Sequence, residues 1–378
     1  MASPRVATAQ RLGRLLRRER LALGFGALTL LLAVADPRPW ARWRDWLELP
    51  TLLGLLALLA SIEGVRASGA VQRAAQRLAR RARSQRGLAV MLVLGSALLA
   101  MALTNDVSLF LLVPLTLELG RGGDLPVRRL VILEALGVNA GSTLSPVGNP
   151  QNLLLWRESG LSMLQFAERM LPAFAVMLAL LLLTVRLVVP ARAVHPDGGA
   201  PPPPLRGALA AVSALLLLAV LALLQAGLAA WAALLVLAVF ALGWREVLRR
   251  LDWGLLATLA AMFVGLGHLA VWPPVQRWIG AWAWREPLPG YLGAIVLSQG
   301  LSNVPATVLL HGLVASPMRL AVAVNVGGFG LAMGSLANLI ALRLHGERGA
   351  LAEFHRISVP FLLACAPAVW AVQRLLGG

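Results

Sequence analysis

A bilayer's hydrocarbon core is about 30 Å thick and needs ~20 apolar residues per spanning helix. Runs of that kind recur along most of this chain. Nine stretches fit: 21–35, 49–63, 130–157, 164–189, 207–224, 228–243, 253–271, 320–345 and 357–376. With 58% hydrophobic and only 13% charged residues among 378, a water-soluble globule is excluded and an all-α polytopic membrane protein is expected.

Two further apolar stretches, 88–119 and 288–316, are interrupted near their middles by polar, helix-breaking residues. Thr104-Asn105-Asp106 breaks the first and Ser302-Asn303-Val304-Pro305 the second. Bare backbone N–H and C=O groups are costly in lipid, so such breaks must be buried in protein or line a wet cavity. Two inward-pointing re-entrant hairpins are therefore expected.

The net charge of +17 arises from arginines in short loops between apolar runs. Topology explains these better than a phosphate-binding footprint, and nucleic acid is not an expected partner. Placing the N-terminus in the cytoplasm and the C-terminus outside puts most arginines on the inner side, as the positive-inside rule requires. Seven of them lie between Arg66 and Arg86 with no acidic residue, the pattern of an amphipathic helix on the inner leaflet. The Arg-rich start precedes no small-residue cleavage site and reads as a start anchor. The single cysteine, Cys365, excludes an intrachain disulfide. No phosphate loop, HExxH or Gly-x-Ser-x-Gly is present, and no enzyme activity or cofactor is expected.

The order hairpin, broken helix, plain helix occurs at 88–189 and again at 288–376. Seven segments follow: an Arg-rich start at 1–20, scaffold helices at 21–63, the amphipathic segment at 64–87, a first transport repeat at 88–189, a Pro-rich linker at 190–206, linking helices at 207–271, and a second repeat at 288–376. The odd crossing at 207–224 would turn the second repeat over. Gly148-Asn149-Pro150-Gln151-Asn152 aligns with Gly334-Ser335-Leu336-Ala337-Asn338, as Thr104-Asn105-Asp106 does with Ser302-Asn303-Val304. Discontinuous helices that meet near the midplane suit a secondary transporter, because they offer half-helix N-termini to anions and unwound carbonyls to cations.

We assign substrate contacts to Thr104, Asn105, Asn149, Ser302, Asn303 and Ser335, and coupling-ion contacts to Asp106, Gly148, Asn152, Gly334 and Asn338. Asp106, one of six Asp in the chain, is the coupling candidate, since a buried carboxylate either holds a cation or takes up a proton. Each of these residues could instead cap or pack a helix. Glu63, Glu118 and Glu134 are given structural roles, and His268 and His311 are weaker titrating candidates.

At these motifs the chain resembles the ion transporter superfamily of divalent-anion/sodium symporters, citrate transporters, arsenite permeases and one class of sodium/proton antiporters. The resemblance covers about residues 50–376. It implies a dimeric elevator transporter, a cation site at Thr104, Asn105, Gly148 and Asn152, and another at Ser302, Asn303, Gly334 and Asn338. The Thr-Asn-Asp tip and Gly-Ser-Leu-Ala stretch look more like the arsenite-permease side, which implies proton coupling. A small anion carried with H⁺ or Na⁺ across a bacterial-type plasma membrane is the expected activity, and Na⁺/H⁺ antiport is the alternative.

Overall fold

A computed structural model describes residues 20–121, 124–194, 204–347 and 349–376. The Arg-rich start and most of the Pro-rich linker lie outside the described residues. The described chain is nearly all helical, and its only strand-like feature is an isolated bridge between Ser84 and Ala193. Among the described residues six helices are long and apolar enough to cross a membrane, and four shorter apolar helices accompany them.

The chain divides into two units. The first, residues 1–64 and 211–280, contains α1 (Arg20–Ala35), α2 (Trp40–Trp46) and most of α3 (Leu49–Ala67). It also holds most of α10 (Gly207–Gln225), together with α11 (Ala229–Gly243), α12 (Arg245–Arg249), α13 (Trp253–Val271) and most of α14 (Pro273–Ala281). Helices α1 and α13 lie along each other, and Thr29 sits where a side chain at Gly265 would intrude. At their ends His268 is fully buried, 2.9 Å from the Asp36 carbonyl and stacked on Trp46. Its Nε2 is thereby partnered, while its Nδ1 is buried without a hydrogen-bond partner.

The second unit, residues 65–210 and 281–378, carries every assigned site residue. It opens with α4 (Ala70–Arg81), which begins only after Gly69 leaves α3 at φ 85°. The helix pair α5 (Gln85–Ala102) and α6 (Asn105–Gly120) follows, then α7 (Val127–Ser142), a break, α8 (Pro150–Ser159) and the long α9 (Met163–Val188). The same order returns in α15 (Pro287–Leu301) and α16 (Asn303–Leu310), then α17 (Pro317–Val326), a second break, α18 (Leu336–His345) and the long α19 (Ala350–Leu375). The second series is the shorter: α16 is half the length of α6, and α17 has 10 residues where α7 has 16. Helix α5 is itself long enough to span, whereas the sequence pattern had made it a hairpin arm.

Helix α7 is the centre of this unit. From Leu130 to Ser142 every residue is buried, the expected fate of a helix with no solvated face. It packs on α5, α6, α9, α18 and α19. Helix α9 by contrast buries a single stripe, Phe166, Met170, Ala173, Met177, Leu181 and Val185, at helical spacing. The rest of its largely apolar surface is not buried within this unit.

Candidate functional site

Each break ends where glycine permits backbones to touch. A Cβ on Gly148 would lie 2.5 Å from the Ser142 carbonyl oxygen and 2.8 Å from that of Ala100, and one on Gly334 would lie 2.7 Å from the Gly327 carbonyl oxygen. Side chains then restart the helices. Asn149 caps α8 by accepting the Asn152 N–H at 2.8 Å, and Ser335 caps α18 by accepting the Ala337 N–H at 3.3 Å.

Unwound backbone at membrane depth has to find partners inside the protein. In the first break the Asn152 amide nitrogen donates to the carbonyls of Ser142, Thr143 and Ser145 at 3.0–3.2 Å. In the second, the Gly328 carbonyl accepts from Asn338 at 2.9 Å and from Asn139 at 3.3 Å. The Gln299 amide donates to the Gly327 carbonyl and accepts the Leu331 N–H, while Ser358 and His355 of α19 accept the N–H groups of Gly330 and Ala332.

The two breaks are tied to each other by two asparagines that motif reasoning passed over. Asn139, near the end of α7, donates to the Asn338 oxygen at 2.9 Å and accepts from the Ser335 hydroxyl at 3.0 Å. Asn325, near the end of α17, accepts from Asn149 at 3.0 Å and donates to the Asn152 oxygen at 2.6 Å. The arrangement is reciprocal: each series supplies the asparagine that holds the other's restart. A signal was present in the sequence, because Asn139 precedes Asn149 and Asn152 by ten and thirteen residues, and Asn325 precedes Ser335 and Asn338 by the same intervals.

The helix-pair tips sit against these breaks. The Asn105 N–H donates to the Gly148 carbonyl at 2.9 Å, and the Asn303 amide lies 3.2 Å from where a side chain on Gly328 would begin. Both asparagines are buried. Thr104 caps α6 by accepting the Val107 N–H, and Asn105 accepts the Asp106 N–H. Aligned Ser302 behaves differently. Its φ of 71° is left-handed for a residue with a Cβ, a strain of about 1–3 kcal/mol that concentrates at functional sites.

The assigned residues thus gather into one largely buried, polar and mostly neutral region, with Thr104 and Asp106 half-buried at the first tip. Asp106 is its acidic member, and one of its carboxylate oxygens is buried without a hydrogen-bond partner. Glu134, on α7, is fully buried and accepts from the Thr116 hydroxyl at 2.5 Å. His311 lies outside the region, half-exposed and paired with Glu158 at 2.9 Å. Among the described residues no group of three or more His, Cys, Asp or Glu could hold a metal ion.

A family model for citrate transporters matches residues 12–319. The chain is 42% identical to the inner membrane protein YbiR of Escherichia coli K12 over 80% of its own length and 82% of that protein's. It is 30% identical to an uncharacterized transporter of Methanocaldococcus jannaschii over 70% of this chain and 73% of the relative. A silicon efflux transporter of rice, Oryza sativa subsp. japonica, matches over 25% of this chain and 20% of the relative, at 34% identity. Apolar helices of spanning length, two broken helices joined through reciprocal asparagines, and a family match over most of its length lead to one conclusion: the chain is a membrane transporter belonging to the citrate transporter family.

Proposed function

We propose that the chain moves a small anion, an inorganic oxyanion or a carboxylate, across the inner membrane by secondary active transport coupled to H⁺ or Na⁺. The observation that carries this reading is the reciprocal pairing of Asn139 with Asn338 and Ser335, and of Asn325 with Asn149 and Asn152. A two-fold relation between inverted repeats generates such exchanged contacts, and a transport site between discontinuous helices is built at that kind of junction. The helix-pair tips at Asn105 and Asn303 are then re-entrant and contribute to the substrate site. Asp106 carries the coupling charge, since its unpartnered oxygen has capacity for a proton or a cation. The relative named for silicon efflux favours the inorganic side of the substrate range.

The unpartnered Asp106 oxygen also supports a second reading, Na⁺/H⁺ antiport by the same fold without an anion. Proteoliposomes loaded with a pH-sensitive dye and offered arsenite, phosphate, sulfate, citrate or succinate separate the two. Anion-dependent uptake or efflux that Asn105→Ala and Asn303→Ala abolish is expected. Dye responses to Na⁺ or pH jumps alone, with no anion moved, would replace the proposal with the antiporter.

A further inference from the structure

Most hydrogen-bonding capacity at the two breaks is already committed. Asn149 holds the Asn152 N–H, the Ser142 hydroxyl and the Asn325 oxygen, while Asn152 satisfies three carbonyls with its nitrogen and Asn325 with its oxygen. These side chains hold the backbone open, so their amides are not free to meet a solute.

Gln151, between them on the first turn of α8, is different. It is 2% exposed, and neither its amide oxygen nor its amide nitrogen has a hydrogen-bond partner. Buried amides are nearly always satisfied. One left unpaired at both ends, beside a polar break in a transporter, is a group whose partner comes and goes. The aligned position in the second series is Ala337, fully buried and without a polar group, so this capacity exists on one side only.

We propose that Gln151 is the substrate-recognition residue of this transporter and that the solute it selects is a protonated oxyacid, one presenting a hydroxyl to donate and an oxygen lone pair to accept. The inference rests on the transport reading above and narrows it. A primary amide offers two N–H donors and one carbonyl acceptor. A hydroxyl-bearing oxyacid uses both ends, donating its O–H to Oε1 and accepting from Nε2. A fully deprotonated oxyanion satisfies Nε2 alone and sets its own oxygens against Oε1. A site with a buried hydrogen-bonding group discriminates strongly against a ligand that leaves that group unpaired.

Phosphate at pH 6 and sulfate provide the contrast, being tetrahedral anions of similar size of which only phosphate carries protons. Arsenite serves as a third, fully hydroxylated probe. Binding is read as the ligand-induced shift in thermal unfolding of the purified full-length protein, and transport as uptake into proteoliposomes. Arsenite or phosphate is expected to bind at least tenfold more tightly than sulfate. Gln151→Met should abolish that preference while leaving the ligand-free protein as stable as the wild type or more so, because it removes an unsatisfied polar group. A purely structural glutamine would give the reverse, with lower stability and unchanged discrimination. Gln151→Asn, which keeps the amide on a shorter stem, should retain part of the preference.

Wild-type transport with a preference that Gln151→Met leaves intact would overturn this inference and spare the transport reading. Preference for sulfate would also overturn it. Failure of the wild type to bind or move any of the three, with citrate or succinate still moved, would overturn the inference alone. Failure with all five anions would overturn both.

Discussion

Asn325 reaches from the end of α17 to the start of α8 and donates to the Asn152 side-chain oxygen at 2.6 Å, so a residue of the second series fixes the restart of the first. Its counterpart, Asn139, does the same for Asn338 at 2.9 Å. Truncating either leaves buried amide groups without partners, at a cost of about 1–3 kcal/mol each. Asn139→Ala and Asn325→Ala should each lower the unfolding midpoint in detergent. Asn325→Ala should also release the Asn149 amide, which a double-mutant cycle with Asn149→Ala would detect as less-than-additive loss.

The aligned tip residues Thr104 and Ser302 should respond in opposite ways to glycine. Ser302 has φ 71°, where a Cβ is disfavoured, while Thr104 has φ −97° and its hydroxyl caps α6. Ser302→Gly is expected to raise stability by about 1 kcal/mol from relieved strain. Thr104→Gly gives up a threonine cap for the few tenths of a kcal/mol that separate the two at such a position, and should lower stability slightly. Thermal unfolding of the two variants side by side checks the sign.

Glu134 and Asp106 each have one buried carboxylate oxygen without a hydrogen-bond partner, but the other oxygen of Glu134 accepts from the Thr116 hydroxyl. Glu134→Gln preserves that hydrogen bond and should leave the pH dependence of transport unchanged. Thr116→Val leaves the carboxyl without its donor and should destabilise the protein by about 1–3 kcal/mol. A pH profile displaced by Glu134→Gln would move the coupling role from Asp106 to α7.

At the N-terminal ends of α7 and α19, Glu353 accepts from Arg128 at 3.0 Å and from Arg129 at 3.1 Å, and Arg128 also meets Glu347 at 3.2 Å. These pairs are partly exposed and each is worth up to about 1 kcal/mol. Glu353→Gln should therefore destabilise modestly, and the deficit should shrink as salt is raised from low to physiological strength.

Much of this was legible in the chain itself. The apolar runs marked five of the six helices of spanning length, α5 being the exception, and Thr104, Ser302, Gly148 and Gly334 marked where helices are interrupted, because backbone breaks demand caps and close contacts. Asn139 and Asn325 escaped notice because each lies inside an apolar helix with no turn signal beside it, and only their matched intervals to the restarts betray them. Gln151 carries no such signal in the chain, since its unpartnered state depends on what its neighbours bond. The left-handed Ser302 could not be anticipated from an alignment that pairs it with a threonine in extended backbone. The short α16 likewise reflects tertiary context.

Charge movement recorded on a solid-supported membrane, with pH-sensitive dye read in the same vesicles, tests the central claim most directly. Arsenite, phosphate, sulfate, citrate and succinate are jumped at fixed Na⁺ and pH, and then Na⁺ and pH are jumped alone, in the wild type and in Asp106→Asn. A solute-specific response in the wild type that Asp106→Asn removes is the predicted result. A response to Na⁺ or pH jumps alone, or a solute response that survives in Asp106→Asn, would contradict it.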